Sequence, residues 1–167
     1  MEHRHSIRHF SAEEVDIELV KDAIRIAQYT PSACNRQCWK TRIVADKNII
    51  KTALSNQGGN RGFGQEINKL LVITADLRAQ QQNREIFEAF IDGGMYAESV
   101  LNALFYKGLG CVPLSAALTN TQAKNIRKLL NIPEAEILIM LIGVGNYSKG
   151  ATTTTLSSRK QARIEVI

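Results

Sequence analysis

The sequence predicts an α+β layered protein, with helices packed on a mixed sheet. Three observations carry that expectation. "TRIVAD", "KLLVITAD" and "AEILIMLIGVG" read as strands, the last a continuous apolar run of the kind buried on both faces. A broad apolar stripe from Phe87 to Leu104 recurs at helical spacing and marks a central helix. The elements follow in the order α, β, β, long α, β, α, β and a tail strand, without the strict alternation of a doubly wound sheet.

Each element has a local reason. "SAEE" at 11–14 is a capping box, and Val20, Ala23, Ile24 and Ala27 follow at helical spacing. These features predict a first helix from Ala12 to Gln28, ending before Pro31. "TRIVAD", 41–46, is short and β-branched, and "SNQGGNRGFG", 55–64, is glycine-rich and predicts a loop. "KLLVITAD", 69–76, is a second buried strand. In the long helix, Gly93 and Gly94 each cost about 1 kcal/mol relative to alanine, so they predict a close helix–helix contact. Gly108 and Gly110 end that helix. "CVPLSA" is a short extended piece. Ala123, Ile126, Leu129 and Leu130 define a helix over 121–130, closed by Pro133. Residues 135–145 form the buried strand, "GATTTTLSSRK" an exposed connector, and "ARIEVI" alternates as a strand does.

The chain has 167 residues, which suits one domain spanning residues 1–167. Apolar residues at 44% and charged residues at 22% exclude a disordered chain. The net charge of +5 favours anionic partners, but the cations form no run, which suits a discrete phosphate better than nucleic acid. Aromatic residues at 6% and the lack of a basic stripe argue further against nucleic acid. No segment has the apolar length of a membrane span, and "MEHRHSIRHF" lacks the apolar core of a signal peptide. Cys34, Cys38 and Cys111 are odd in number and sparse, so a reducing cytoplasm is the expected location.

Hydrolytic and metal chemistry find little support. There is no G-x-S-x-G, no phosphate-binding G-x-x-x-x-G-K-[ST], and no G-x-G-x-x-G after a strand. Cys34-x3-Cys38 has no second ligand pair, and His3, His5 and His9 lie in a separate basic stretch, so no metal is expected. "YTPSACNRQCWK" then remains open between a structural turn and a loop that grips something flat and polar. Arg4, Ser6 and Arg8 alternate, so in an extended segment they share one face suited to a phosphate or a polyol. Arg159 sits in "SSRK" at the far end.

In order and spacing, "RHSIRHFSAEEV", "TPSACNRQCWKTRIV", "DGGMYAESVLNALFYKGLGCVPLSA", "LIMLIGVGNY" and "SSRK" resemble the flavin-dependent nitroreductase family over nearly the whole chain. The opening R-x-S-x-[RK]-x-[FY] is matched by Arg4, Ser6, Arg8 and Phe10. The P-S-x-x-N-x-Q-P-W block is matched by Pro31, Ser32, Asn35, Gln37 and Trp39. The resemblance implies a three-layer fold, a mixed and mainly antiparallel sheet flanked by helices, in an intertwined homodimer. It implies non-covalent FMN at the dimer interface, with hydride taken from NADH or NADPH and passed to a small-molecule acceptor such as a nitroaromatic or a quinone. By the same likeness Arg4, Ser6 and Arg159 hold the FMN phosphate, with His5 in the same cofactor-binding strip. Arg8 lies nearer the ribityl chain and the N1–C2 edge. Pro31, Ser32, Ala33 and Asn35, from the partner subunit, line the ring, and Gln37 and Trp39 anchor their turn. Asn60 matches an asparagine that reads the pyrimidine edge, with Arg61 beside it. Pro113, Leu114, Ser115 and Ala116 pass under the ring, with a backbone N–H near Ser115 and Ala116 facing N5. No side chain is assigned a catalytic role, because the flavin carries the hydride.

The chain departs from the family pattern in three places. Cys38 stands where proline is usual, "PLSA" stands where a glutamate and a glycine are usual, and the excursion that often covers the flavin is missing. These departures motivate a second hypothesis, a non-catalytic flavin-binding or regulatory module on the same scaffold.

Overall fold

The computed structural model describes residues 3–149 and 160–167. The first helix, α1, is Ile17–Ala27. It starts at Ile17 rather than Ala12, because the "SAEE" box is spent otherwise. Ser11 accepts only the Glu13 amide at 3.0 Å, a local turn. Glu14 reaches across to Lys69 and Asn68 instead of back to its own helix. The cap is Asp16, whose carboxylate accepts the Glu18 amide at 2.9 Å.

Strand β1, Trp39–Val44, leads into a helix that the sequence reading missed, α2 at Lys47–Gln57. Asp46 caps it by accepting the Asn48 and Ile49 amides, and Gly58 ends it at φ 78°, where a side chain would be strained. Ile50, Ala53 and Leu54 bury its inner face. The glycine-rich loop is therefore shorter than expected. Strand β2 is Lys69–Asp76, α3 is Glu88–Tyr106, β3 is Gly110–Ser115, α4 is Asn120–Leu129 and β4 is Glu136–Gly145. At the end of α3 the Leu109 amide donates to Leu104 O and the Gly108 amide to Phe105 O, with Gly108 at φ 76°. This is a Schellman close that only a residue free to take positive φ accommodates cheaply.

The strands form one sheet in the order β1-β2-β4-β3, and every neighbouring pair is antiparallel. The parallel element among the described residues is an isolated bridge between Ser6 and Cys111. Alternation along β2 divides the core. Leu71 and Ile73 join α1 and α3 on one face, while Leu70 and Val72 join the α2 and α4 side on the other. Fully burying a Leu, Ile or Val side chain contributes roughly 1.5–3 kcal/mol, so β2 and β4 are the centre of both layers. No helix among the described residues is long and apolar enough to cross a membrane.

Two expectations are corrected here. Gly93 marks a helix–sheet contact rather than a helix–helix one, since a Cβ there would lie 2.8 Å from Ile139 Cγ1. Gly94 faces open space, with nothing within 4 Å of a built Cβ. Residues 160–167 are exposed and form no strand, because "ARIEVI" finds no ladder partner among the described residues.

Candidate functional site

The N-terminal strip lies along the edge of the sheet beside β3. The Ile7 amide donates to Cys111 O at 2.9 Å, and Phe10 bridges Tyr147. Ile7 and Phe10 point inward into the α2 and α4 layer. Glycines make the fit: a Cβ on Gly145 would lie 2.5 Å from Phe10 Cδ1, and one on Gly110 would lie 3.3 Å from Ile7 Cγ2. With Ile7 buried, alternation leaves Ser6 half-buried and Arg8 exposed.

Arg4 is half-buried, and its Nη1 is fully buried without a hydrogen-bond partner among the described residues. A buried guanidinium nitrogen left unpaired is costly, and the chemistry that satisfies it is an anion. Its surroundings are the Cys111 thiol and the Tyr147 phenol. Burial pushes Cys111 up to about 11, against a small opposing pull from Arg4, so the thiol is inert at neutral pH. Burial likewise raises Tyr147. His5 is half-buried in the same strip.

The turn at 31–38 is strained and heavily anchored. Cys34, Asn35 and Gln37 all take positive φ, at 52°, 55° and 48°. Such angles cost about 1 kcal/mol or more for residues with a side chain, so other contacts must hold them. The Gln37 amide donates to Ser32 Oγ at 3.0 Å, and Gln37 Nε2 donates to Asn35 Oδ1 at 2.9 Å. Gln28 Nε2 donates to Gln37 Oε1, and Trp39 Nε1 to Gln28 Oε1. The Trp39 ring stacks on Tyr96 with centroids 4.7 Å apart. Gln37 and Trp39 therefore anchor the turn.

Arg36 forks onto Glu85 at 3.0 and 3.2 Å. That guanidinium first, then the Gln81 and Gln82 amides, hold the Glu85 carboxyl down at about 2. Among the described residues, what the turn leaves free is the Ser32 hydroxyl proton and the Asn35 side-chain amide, whose oxygens are already used. Pro31, Asn35 and Gln37 line a cavity of about 600 Å³ with Arg25, Gln28 and Tyr29.

A third group joins the loop after α2 to the end of β3. Gln57 Nε2 donates to Ser115 O at 3.1 Å. Asn60 Nδ2 is taken by Leu54 O at 2.6 Å, so that side chain closes α2 rather than pointing outward. Arg61 is exposed. Ser115 is exposed and its hydroxyl accepts the Ala117 amide at 3.0 Å. The Ala116 amide makes no hydrogen bond among the described residues. Pro113 and Leu114 sit on β3 between the Arg4 strip and Ser115.

The structure brings Arg4, Ser6, Arg8, Asn60 and the 113–116 segment to the β3 side of the sheet. Pro31, Ser32, Ala33 and Asn35 lie at the opposite edge, before β1. Trp39 pairs with Ala75, while Cys111 is level with Val144 and Lys69. Three strand spacings across and six residues along put the starts of β1 and β3 about 25 Å apart. At the other end of β3, Ser115 is level with Met140, Ile73 and Thr41, so there the two edges stand only three strand spacings, about 15 Å, apart. Arg159 lies outside the described residues. Sequence reasoning missed Asp92, which accepts the Ala33 amide. Its signal was a lone acidic residue inside the apolar stretch "FIDGGMY".

The sequence model of the nitroreductase family matches residues 1–57 and 51–146. An Archaeoglobus fulgidus protein named as an NADH dehydrogenase/NAD(P)H nitroreductase is 26% identical, over 85% of this chain and 80% of its own length. An iodotyrosine deiodinase of Haliscomenobacter hydrossis is 23% identical, over 100% of this chain and 86% of its own. Among solved structures, a Bacillus subtilis nitroreductase superposes with a TM-score of 0.81 at 17% identity, covering 96% of this chain and 92% of the other. An FMN-dependent nitroreductase of Clostridium difficile gives 0.76 at 21% identity, covering 88% and 85%.

Proposed function

This chain belongs to the nitroreductase family, and on that premise we propose that it is a cytoplasmic, one-domain, FMN-dependent NAD(P)H oxidoreductase acting as a homodimer. Oxidoreductase function follows from the family; the cofactor, the acceptor and the assembly are our reading. The observation that supports it is Arg4 Nη1, buried and without a hydrogen-bond partner among the described residues.

The residues fit FMN. Arg4 and Ser6 supply a fixed cation and a hydroxyl for the phosphate, and Arg159 is assigned to the same group. Arg8, exposed and permanently charged, places positive charge by the N1–C2 edge. The unpaired Ala116 amide offers a donor to N5. Ser32 and Asn35 of the partner subunit bring free donors to the ring edge. The exposed apolar face of α3, with Phe90, Ile91 and Met95 around the open Gly94, suits that contact. FMN, when bound, supplies the hydride chemistry, taking two electrons from NAD(P)H and giving them to a nitroaromatic, quinone or similar acceptor. The nicotinamide leaves before the acceptor enters, a ping-pong order in which the protein orients each in turn.

The test is one pair of spectra. The purified protein should carry one FMN per subunit, and its visible absorbance should bleach when NADPH or NADH is added without oxygen. A colourless protein that takes up no FMN on titration refutes the proposal. Tight FMN that neither nicotinamide reduces selects the non-catalytic flavin-binding module instead.

A further inference from the structure

Three charged side chains are buried among the described residues: Lys69, Asp92 and Glu136. Lys69 pairs with Glu14, and Glu136 takes the fork of Arg42. Asp92 makes no ion pair among the described residues. Both its oxygens turn to one donor, the Ala33 amide, at 3.1 and 3.2 Å. A buried carboxylate with a single N–H partner is poorly satisfied and works against stability, so its presence asks for another reason.

The reason lies in what it holds. Ala33 opens the stretch in which Cys34 and Asn35 take left-handed backbone. The other anchors of this turn act on its second half, at Arg36, Gln37 and Trp39. Ala33 to Asp92 ties its first half to the body of the protein. Asp92 is itself fixed, because Gly93 has no side chain and lets α3 settle against Ile139 of β4. Rigid sheet, helix, carboxylate and turn thus form one chain of contacts.

We propose that Asp92 is a positioning residue that sets the cofactor-lining turn in its strained, binding-ready shape. This rests on the flavin reading above. It acts through Ala33 on Ser32 and Asn35 and touches no reacting atom.

The test compares wild type with Asp92→Ala and Asp92→Asn, and uses Glu136→Gln as a variant destabilised elsewhere. Hydrogen exchange is followed on flavin-free protein in peptides covering residues 29–36 and 69–76, and FMN affinity by fluorescence titration. Asp92→Ala should speed exchange in the first peptide at least tenfold, leave the second unchanged, and raise the FMN Kd about tenfold. Asp92→Asn keeps one acceptor and should lose about threefold. Glu136→Gln should lower Tm and speed exchange in the second peptide, where Thr74 donates to it, while the first peptide and the FMN Kd keep wild-type values; a merely structural role for Asp92 would likewise leave the first peptide and the Kd unchanged. Unchanged exchange, or an unchanged Kd, in Asp92→Ala overturns the proposal. Should that variant fail to fold, wild type decides: an Ala33 amide exchanging as fast as an open loop overturns it. If wild type takes up no FMN, the flavin reading fails, and the exchange data alone decide whether the clamp stands.

Discussion

Replacing Arg4 by methionine separates the cost of the phosphate strip from its use. Arg4 Nη1 is buried with no partner among the described residues, and its guanidinium lies near Cys111 and Tyr147. An unsatisfied buried donor costs about 1–3 kcal/mol, and more when charged. Methionine keeps most of the volume and removes the donor. The flavin-free variant should therefore be more stable than wild type by about 1–3 kcal/mol, which for a domain of this size is roughly 3–10 °C in Tm. The same change removes charge-assisted hydrogen bonds to a phosphate. About 3 kcal/mol of lost binding is roughly a hundredfold rise in FMN Kd. The assay is thermal unfolding of flavin-free protein beside a flavin fluorescence titration. The two readouts must move in opposite directions. A variant that is less stable than wild type without flavin, or one that binds FMN as tightly, refutes the reasoning.

Gly145→Ala should displace the N-terminal strip, because its Cβ would meet Phe10 at 2.5 Å. The expected loss is about 1–3 kcal/mol in denaturant unfolding, with weaker FMN uptake. Glu85 is held at about 2 by Arg36, so its stabilisation is fully present above its unfolded value and drains away as pH falls toward 2. Glu85→Gln should therefore flatten the wild-type loss of Tm across that acid window, and an unchanged slope would show that the pair does not form. Gly94→Arg puts a charge on the open, apolar face of α3. Sedimentation should show monomer, and FMN uptake should fall with it; a dimer that survives the change places the contact elsewhere.

The strands were legible because burial on both faces writes itself as an unbroken apolar run. β2 was read residue for residue as "KLLVITAD", and β4 within one residue. Helix α2 was not, although Asp46, Ile50, Ala53, Leu54 and Gly58 spell a cap, a buried face and a left-handed stop. The glycines at 58, 59, 62 and 64 drew attention to the loop and hid the helix running into it. The start of α1 was misjudged for a different reason. "SAEE" satisfies the capping pattern locally, but Glu14 gains more from Lys69, buried on β2 and otherwise uncompensated. A contact between residues so far apart in the chain overrode a good local signal, and no window of sequence reports that.

The candidate site divides along the same line. Arg4, Ser6 and Arg8 were legible as one face of an extended strip, because alternation is a property of the backbone. That Arg4 would be the member left without a partner was not legible, since it depends on Ile7 and Phe10 docking over Gly110 and Gly145. Asp92 stood out as a lone acid in an apolar stretch, but its role was not legible, for the converse reason. Its meaning lies wholly in Ala33, which carries no side-chain chemistry of its own and offers only an amide that any residue but proline would have. A sequence displays the groups a site presents to its ligand far better than the groups that hold those in place. The orphaned guanidinium and the lone carboxylate are both poorly satisfied within one chain. In a fold whose other buried charges are paired, that shared deficit is the strongest physical reason to look for binding at both ends of the sheet.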